Sequence, residues 1–321
     1  MALSVLLIIT ACHKPSTQEN NLSIVQAGAV SECRVIKYRR GEACIPLEPK
    51  RIVALDVPAV LDPLLALGIK PVGTVVDSFG NGQDWSGKRY FPALLPELVE
   101  GIEIVGVEAT PSVEKILKLK PDLILMADQS ELAFEQLSKV APTVLTDVFR
   151  NRIPIKENFR KIAEIAGKKK EAEEILNQYE QRISNVKEQL SDRLISSEIS
   201  VLGYHQNHLS IPGNWASHLQ VFQDIGLKVK PALLEPDEYV GISFEVISDF
   251  DADIMFFIDF NTSSKAFYQN PLIQSLDAVK NGHAYIVNGS IWDFYGPIGI
   301  NLFLDDLEEY LVEGGSRGVK R

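Results

Sequence analysis

The stretch Ser112-Val-Glu-Lys-Ile-Leu-Lys-Leu-Lys-Pro-Asp-Leu-Ile-Leu125 decides the fold, because a second copy of its pattern follows 131 positions later. The copy reads Ser243-Phe-Glu-Val-Ile-Ser-Asp-Phe-Asp-Ala-Asp-Ile-Met-Phe256 and aligns without a gap. Each copy predicts a short helix with a serine N-cap, an aspartate in the turn and a continuous apolar strand. A strand that is apolar on both faces is typical of a parallel sheet covered by helices. The repeat therefore predicts two lobes built on one α/β plan.

A second repeated feature supports the two lobes. Leu67-Gly-Ile-Lys70 and Ile225-Gly-Leu-Lys228 each predict a helix that ends at a glycine and leads into a strand. Strands alternate with helices along the rest of the chain, which favours mainly parallel sheets. The predicted elements are strands 52–55, 72–76, 104–105, 123–126, 143–145, 199–203, 254–258 and 284–287, and helices near 60–67, 113–119, 132–140 and 299–311.

A different segment lies between the lobes. From Lys168 to about Ser191 the sequence has no Gly or Pro. Its apolar residues follow a spacing of three and four, which predicts one helical stripe. At 1.5 Å per residue, about 24 residues make a rod of roughly 36 Å, long enough to cross both lobes. The stripe consists of Ala172, Ile175, Leu176, Tyr179, Ile183, Val186 and Leu190.

Size and charge exclude several classes of protein. The 321 residues are typical of two ordinary domains. The net charge of −11 argues against general nucleic-acid binding, which needs a basic surface. The apolar N-terminus is too short to span a bilayer, but it has the length of a signal-peptide core. Its end, Ile9-Thr-Ala-Cys12, resembles the bacterial lipobox, which makes Cys12 the predicted lipidation site, although no Lys or Arg precedes the apolar run.

The other two cysteines, Cys33 and Cys44, stand eleven positions apart. This spacing suits a small hairpin closed by a disulfide, which in the chain-entropy model stabilises by roughly 3 kcal/mol. Zinc is the competing use, although the sequence has no second Cys or His pair at metal-ligand spacing. Because disulfides persist in exported proteins, we favour the disulfide.

Several motifs resemble the substrate-binding proteins of iron-siderophore and cobalamin ABC importers, over nearly all of the chain from Cys33 onward. The central motif is the stretch 111–125, and the others are Arg51-Ile-Val-Ala-Leu55, Leu67-Gly-Ile-Lys-Pro-Val-Gly73, Lys280-Asn-Gly-His-Ala-Tyr-Ile-Val287, Gly296-Pro-Ile-Gly299 and Leu304-Asp-Asp-Leu307. The Cys33–Cys44 segment is similar to the iron-binding branch of the family. The resemblance implies a type III periplasmic-binding-protein fold, with two similar lobes of mainly parallel sheet joined by one long connecting α-helix.

The resemblance also implies an organisation and a role. The expected segments are a lipoprotein signal (1–12), a tether with the disulfide hairpin (13–45), an N-terminal lobe (46–154), a connecting helical segment (155–195) and a C-terminal lobe (196–321). The expected ligand is a ferric siderophore. The expected partners are an ABC permease dimer with its ATPase and, through the lipid anchor, the membrane. The protein is expected to act as a monomer.

In this family one glutamate on each lobe engages permease arginines, and the motif assigns these roles to Glu114 and Glu245. Helix-terminal stabilisation is the alternative role for both.

Ligand contacts are expected in the loops that follow the parallel strands, where two-lobed binders form their cleft. A ferric siderophore is large and often aromatic or anionic, so stacking surfaces and Arg or Tyr donors suit it better than direct metal ligation. All three tryptophans fall in these loops. The predicted contacts are Trp85, Arg89, Tyr90, Tyr204, His205, Trp215, Tyr239, Trp292 and Tyr295, with Asp128, Gln129, His208 and Phe294 in the same loops.

Other functions are less well supported by the sequence. It has no Gly-x-Ser-x-Gly elbow between a predicted strand and a predicted helix, no Walker loop, no Gly-x-Gly-x-x-Gly after the first strand and no His-Glu-x-x-His motif, so we expect no enzyme and no cofactor. Bare-metal capture needs about three converging His or carboxylate ligands, and the five histidines are poorly distributed for this. Heme, held through Tyr204 or His205, and cobalamin stay open as alternative ligands.

Overall fold

A computed structural model of the chain describes residues 33–76, 94–205, 208–259 and 267–312. The predicted signal segment with Cys12, the tether as far as residue 32, and Trp85, Arg89 and Tyr90 lie outside the described residues. Within the described part, no helix is both long enough and apolar enough to cross a membrane.

The described chain opens with a hairpin of two antiparallel strands, β1 (Cys33–Tyr38) and β2 (Gly41–Pro46). A disulfide joins Cys33 to Cys44 with their Cα atoms 5.5 Å apart, so the predicted pairing is confirmed. Ile45 is fully buried and packs into the apolar core of the N-terminal lobe. The hairpin is therefore part of the folded lobe.

The N-terminal lobe contains a six-stranded sheet with the strand order β6-β5-β4-β3-β7-β8, in which all neighbours are parallel except β5 and β6. Its strands are β3 (Ile52–Leu55), β4 (Gly73–Val76), β5 (Glu103–Val107), β6 (Thr110–Pro111), β7 (Leu123–Ala127) and β8 (Thr143–Thr146). Its helices are α1 (Asp62–Ala66), α2 (Pro96–Val99), α3 (Val113–Leu119) and α4 (Phe134–Leu137). A π-helical turn at Val57–Leu61 precedes α1, and a 3₁₀ turn at Asp128–Ala133 precedes α4, where the sequence predicts single α-helices.

The connecting segment comprises α5 (Ile155–Ala166), α6 (Lys169–Gln189) and α7 (Asp192–Ser196). Helix α6 has 21 residues, so it is about 32 Å long. Its predicted stripe is confirmed. Ala172 and Leu176 pack into the N-terminal core, whereas Tyr179, Ile183 and Val186 pack into the C-terminal core. One helix thus buries its apolar face against both lobes.

The C-terminal lobe contains a second six-stranded sheet with the order β12-β10-β9-β13-β14, and β11 pairs with β9. The pairs β9–β13, β13–β14 and β9–β11 are parallel, and β10 is antiparallel to both of its neighbours. Its strands are β9 (Glu198–His205), β10 (His208–Ile211), β11 (Lys228–Val229), β12 (Val240–Ile242), β13 (Ile254–Asp259) and β14 (Ala284–Asn288). Its helices are α8 (Ser217–Ile225), α9 (Pro271–Gln274), α10 (Asp277–Lys280), α11 (Gly289–Trp292) and α12 (Pro297–Leu311).

The two copies of the sequence repeat occupy equivalent places in the two sheets. Leu123 at the start of β7 pairs with Ile52 of the first strand in its lobe, and Ile254 at the start of β13 pairs with Ile199. The repeated aspartates explain this register. Asp122 accepts a 2.9 Å hydrogen bond from the amide of Arg51, just before β3, and Asp253 accepts one of 2.8 Å from the amide of Glu198.

The helices at the start of the two copies differ. The Ser112 hydroxyl accepts a hydrogen bond from the amide of Lys115 at 3.3 Å and caps α3 as predicted. The second copy forms a 3₁₀ helix, Phe244–Phe250, and Ser243 makes no side-chain cap. The predicted serine cap is therefore wrong at this position, because the Ser243 side chain bonds to the Glu245 carboxylate instead.

A buried carboxylate joins the two lobes. Asp62 at the start of α1 accepts hydrogen bonds from the amides of Ile298 (2.9 Å) and Gly299 (2.7 Å), in the first turn of α12. An N-terminal lobe side chain thus caps the last helix of the C-terminal lobe. A Cβ at Gly296 would lie 2.2 Å from Asp62 Oδ1, which explains a glycine at this position of the Gly296-Pro-Ile-Gly299 motif. Burial raises the pKa of Asp62 to about 7 against the effect of the two amides.

Candidate ligand-binding cleft

The carboxyl ends of the strands in both sheets meet between the lobes, where open parallel sheets bind ligands. In the N-terminal lobe, Asp56 follows β3, Asp128 follows β7, and the loop 147–153 follows β8. In the C-terminal lobe, Tyr295 lies in the loop after β14, whereas Trp215 follows the antiparallel strand β10 and Tyr239 directly precedes β12. The aromatic side chains that meet between the lobes therefore come from segments far apart in sequence.

Four aromatic side chains form an inter-lobe cluster, which we define as Phe149, Trp215, Tyr239 and Tyr295. The ring centroids of Phe149 and Tyr295 are 5.1 Å apart in an edge-to-face arrangement, and those of Phe149 and Trp215 are 6.4 Å apart. Trp215 also lies 6.2 Å from Tyr239 and 6.3 Å from Tyr295. These distances are typical of favourable aromatic pairs. Phe149 is the contribution of the N-terminal lobe, so the cluster bridges the cleft.

The cluster changes from buried to exposed toward its rim. Tyr295 is only 2% exposed, Phe149 and Trp215 are partly buried, and Tyr239 is 49% exposed. The buried Tyr295 hydroxyl has no hydrogen-bond partner among the described residues. Burial, and then the nearby Asp293, raise its pKa well above the ordinary value, so it stays a neutral phenol. The cluster therefore offers flat apolar faces above one unsatisfied hydroxyl group.

The position of Trp215 is fixed by its surroundings. Its indole Nε1 donates a 3.0 Å hydrogen bond to the backbone carbonyl of Asp237. A Cβ at Gly213 would lie 2.6 Å from the same nitrogen, so only glycine leaves room for this placement of the ring. The Asp237 carboxylate in turn forms an ion pair of 3.1 Å with Arg152 of the opposite lobe. Trp215 thus lies next to the Arg152–Asp237 ion pair, which joins the two lobes.

The structure brings three of the predicted contact residues together, namely Trp215, Tyr239 and Tyr295. His205 lies half-buried at the carboxyl end of β9, near the cleft edge of the sheet. Trp85, Arg89 and Tyr90 lie outside the described residues. The cluster is therefore the part of the predicted contact set that the structure assembles.

Two predicted contacts are wrong. Trp292 is fully buried, its ring centroid lies 4.6 Å from that of Phe256, and its indole N–H donates to Asp306 at 2.7 Å. Tyr204 is 3% exposed and its ring lies 4.6 Å from that of Phe267. Side chains alternate between the faces of a strand, and this alternation turns Tyr204 into the core of the C-terminal lobe.

The sequence interpretation missed Phe149 and Arg152. Both lie in the loop that follows β8. The sequence predicts this strand at 143–145. The rule that selects loops after parallel strands covers this loop as well. Phe149 lies four positions beyond the predicted end of that strand, so the same rule predicts it as a ligand contact on the same grounds as Trp215.

The two predicted docking glutamates are both exposed, in the first turns of corresponding helices. A helix that leads into a parallel strand runs antiparallel to it, so its first turn lies near the carboxyl edge of the sheet. Glu114 forms a 2.8 Å ion pair with Lys118, which lowers its pKa, and the Ser243 hydroxyl lowers the pKa of Glu245. Both acids are ionised at neutral pH. Each also has an exposed apolar neighbour, Leu117 beside Glu114 and Val246 beside Glu245.

Two other features of the described residues bear on ligand chemistry. They contain no group of three or more His, Cys, Asp or Glu side chains that could hold a metal ion. An open, polar cavity of about 1510 Å³ lies at the amino-terminal ends of the C-terminal strands, where its lining includes Glu198, Asp253 and His283. This cavity is at the edge of the sheet opposite the inter-lobe cluster. The inter-lobe cluster is the candidate ligand site considered below, because both lobes contribute to it.

Two matched lobes, a connecting helix along both and an aromatic cluster between them define a two-lobed ligand-binding receptor. The chain belongs to the periplasmic binding protein family, whose sequence model matches residues 54–289. It is 28% identical to the "Probable siderophore-binding lipoprotein YfiY" of Bacillus subtilis over 329 aligned residues, which cover 97% of this chain and 96% of that protein. It is 30% identical to the achromobactin-binding periplasmic protein of Dickeya dadantii, with 84% and 88% covered.

A solved structure shows the same architecture. SirA of Staphylococcus aureus, in complex with staphyloferrin B, superposes with a TM-score of 0.72 at 28% identity, and the match covers 87% of this chain and 98% of SirA. The predicted two-lobed α/β fold is confirmed by this likeness and by the two sheets described above.

Proposed function

We propose that this protein is the substrate-binding lipoprotein of an ABC importer, which captures an iron(III)-siderophore between its lobes and delivers it to a membrane permease. The observation that carries the proposal is the inter-lobe cluster, in which Phe149 of one lobe meets Trp215 and Tyr295 of the other. Aromatic faces suit a large chelate whose iron is already fully coordinated. The siderophore-binding names of the relatives support the same ligand class.

The remaining parts of the chain fit this role. Cys12 supplies the lipid anchor, and the segment as far as residue 32 supplies a tether on the outer side of the membrane. Glu114 on the N-terminal lobe and Glu245 on the C-terminal lobe each engage arginines of one permease subunit. One chain provides both walls of the cleft, so a monomer suffices for capture. The protein performs no chemistry on its ligand, and the ATPase of the importer drives transport.

A titration tests the ligand class. The purified protein carrying Cys12→Ala, which prevents lipidation, is titrated with ferric citrate, a ferric trihydroxamate, a ferric triscatecholate, cobalamin and hemin while tryptophan emission is recorded. We expect saturable quenching by at least one ferric siderophore, because Trp215 lies in the cluster. Quenching by free divalent metal alone would contradict the proposal, and saturation by hemin or cobalamin alone would change the ligand class.

Removal of Trp215 tests the place of binding. Trp215→Ala is expected to weaken affinity for the ferric siderophore roughly ten- to hundredfold, since a buried aromatic anchor contributes on the order of 1–3 kcal/mol. Trp215→Phe, which keeps a stacking face, should lose less. Isothermal titration calorimetry measures both variants. An affinity of Trp215→Ala equal to that of the unmodified protein would place the ligand elsewhere.

A further inference from the structure

The turn of the N-terminal hairpin carries two arginines that reach the cleft side of the N-terminal lobe. Arg39 donates from Nε to Asp147 Oδ1 at 2.7 Å and from Nη2 to Glu131 Oε1 at 2.6 Å. Asp147 directly follows β8 and is only 3% exposed. The Arg39–Asp147 pair is therefore shielded from solvent on one side, unlike the ion pairs of fully exposed surfaces.

The second arginine extends the same network. Arg40 bonds to Glu131 at 2.9 Å and to Glu135 at 2.6 Å, and its guanidinium lies 4.6 Å from the centroid of the Phe134 ring. Arg150, in the loop after β8, bonds to the other oxygen of Glu131 at 2.8 Å. Glu131 thus receives three arginines from two segments, and hydrogen bonding to Arg39 lowers its pKa most.

This network holds the loop that carries Phe149. Asp128 accepts hydrogen bonds from the amides of Phe149 at 3.3 Å and Arg150 at 2.5 Å. Asp147 and Arg150 lie on either side of Phe149, and both are bonded into the network. Phe149 in turn contacts Tyr295 and Trp215 across the cleft. Contacts therefore run without a break from the hairpin turn to the inter-lobe cluster.

The hairpin is itself fixed at its other end. The disulfide Cys33–Cys44 closes it, and the guanidinium of Arg34 donates to the backbone carbonyls of Glu164 and Ile165 in the last turn of α5. The turn with Arg39 and Arg40 therefore projects from a rigid base.

We propose that Arg39 and Arg40 are positioning residues for ligand capture, and that the disulfide hairpin holds the loop 147–152 in the conformation in which Phe149 meets the ligand. This inference rests on the proposed function, since it assumes that the ligand binds at the inter-lobe cluster. Without the two arginines, the loop 147–152 is less ordered in the free protein. Ordering it on binding then costs free energy, and the affinity for the ligand falls.

The test compares Arg39→Gln with Arg160→Gln in the Cys12→Ala protein. Arg160 is a matched control, because it also pairs with a carboxylate through two nitrogens, at 2.8 and 3.2 Å, but on the exposed side of α5 and α6. We expect Arg39→Gln to bind the ferric siderophore about tenfold more weakly, as loss of loop order implies, and Arg160→Gln to bind it normally. Arg39→Lys keeps the charge but contacts one carboxylate at a time, so it should recover only part of the affinity.

Hydrogen exchange provides a readout that a general loss of stability would not give. In Arg39→Gln, the amides of Phe149 and Arg150 should exchange faster than in the unmodified protein, with unchanged exchange in β3 and β7. Asp147→Asn added to Arg39→Gln should cause little further loss of affinity, because both changes break one network.

The outcomes separate this inference from the proposed function. Failure of the unmodified protein to bind any of the five ligands would refute the proposed function. Binding by the unmodified protein with equal affinities in Arg39→Gln and Arg160→Gln would overturn the positioning role alone. Faster exchange at Phe149 without weaker binding would overturn it as well.

Discussion

Alanine at both Glu114 and Glu245 is expected to abolish ligand uptake by cells while the purified protein binds its ligand normally. Each acid is exposed and ionised, and each lies at the carboxyl edge of its sheet beside an exposed apolar side chain. Truncation of one partner of an interfacial charge pair costs about 2–5 kcal/mol. The two losses together weaken docking about a thousandfold or more. Uptake of radioactive ferric siderophore by cells that depend on the variant measures the effect.

Glu174→Ala with Glu188→Ala is the matched control, because it removes two exposed negative charges from α6 and changes the net charge equally. We expect this control to support normal uptake. Either single variant, Glu114→Ala or Glu245→Ala, should retain partial uptake, since one lobe still docks. Normal uptake by the Glu114→Ala/Glu245→Ala protein would leave the two acids with a helix-terminal role only. Weakened ligand affinity in that protein would place the acids in ligand binding instead of docking.

The elements that local sequence pattern determines were predicted well. Strand β3 and helix α3 begin and end at the predicted residues, and the stripe along α6 lies against both lobes. In these segments hydrophobic periodicity, a cap and a breaker all favour one structure. The repeat also located equivalent strands, because an aspartate binds the start of the first strand in each lobe.

The direction of side chains was predicted less well. The sequence places Tyr204 and Trp292 near strand ends, but their rings turn into the C-terminal core, where Phe267 and Phe256 cover them. The contacts that organise the cleft were missed for another reason. Arg39 meets Asp147 across 108 positions of the chain, and no local pattern encodes such a pair.

Two buried groups with shifted pKa values predict a pH response with two opposing parts, one group between the lobes and the other inside the C-terminal lobe. Asp62 caps α12 across the lobes with a pKa raised by burial to about 7. His218 on α8 is 2% exposed, and burial lowers its pKa to about 4 against a hydrogen bond to the Trp292 carbonyl. The ordinary values are about 3.9 for aspartate and about 6.5 for histidine.

The two groups affect stability with opposite signs. Between about pH 4 and 7, native Asp62 holds a proton that the unfolded chain lacks, so its contribution to the free energy of unfolding falls as pH rises. Over much of this range the unfolded chain protonates His218 whereas the native protein does not, so that contribution falls as pH decreases. Between pH 7 and 4.5 the Asp62 contribution changes by about 3 kcal/mol and the His218 contribution by about 2 kcal/mol. In the unmodified protein the two largely cancel.

Urea unfolding at pH 7 and 4.5 separates them. Asp62→Asn should lose about 3 kcal/mol more stability on acidification than the unmodified protein does, and His218→Gln should lose about 2 kcal/mol less. Asn offers the two α12 amides only one acceptor oxygen, which costs roughly 1–3 kcal/mol at both pH values. That cost does not change with pH. The difference between the free energies of unfolding at pH 7 and at pH 4.5 therefore reports only the titration of Asp62. Parallel pH profiles for Asp62→Asn and the unmodified protein would mean that native Asp62 is ionised throughout, and that the α12 amides outweigh its burial.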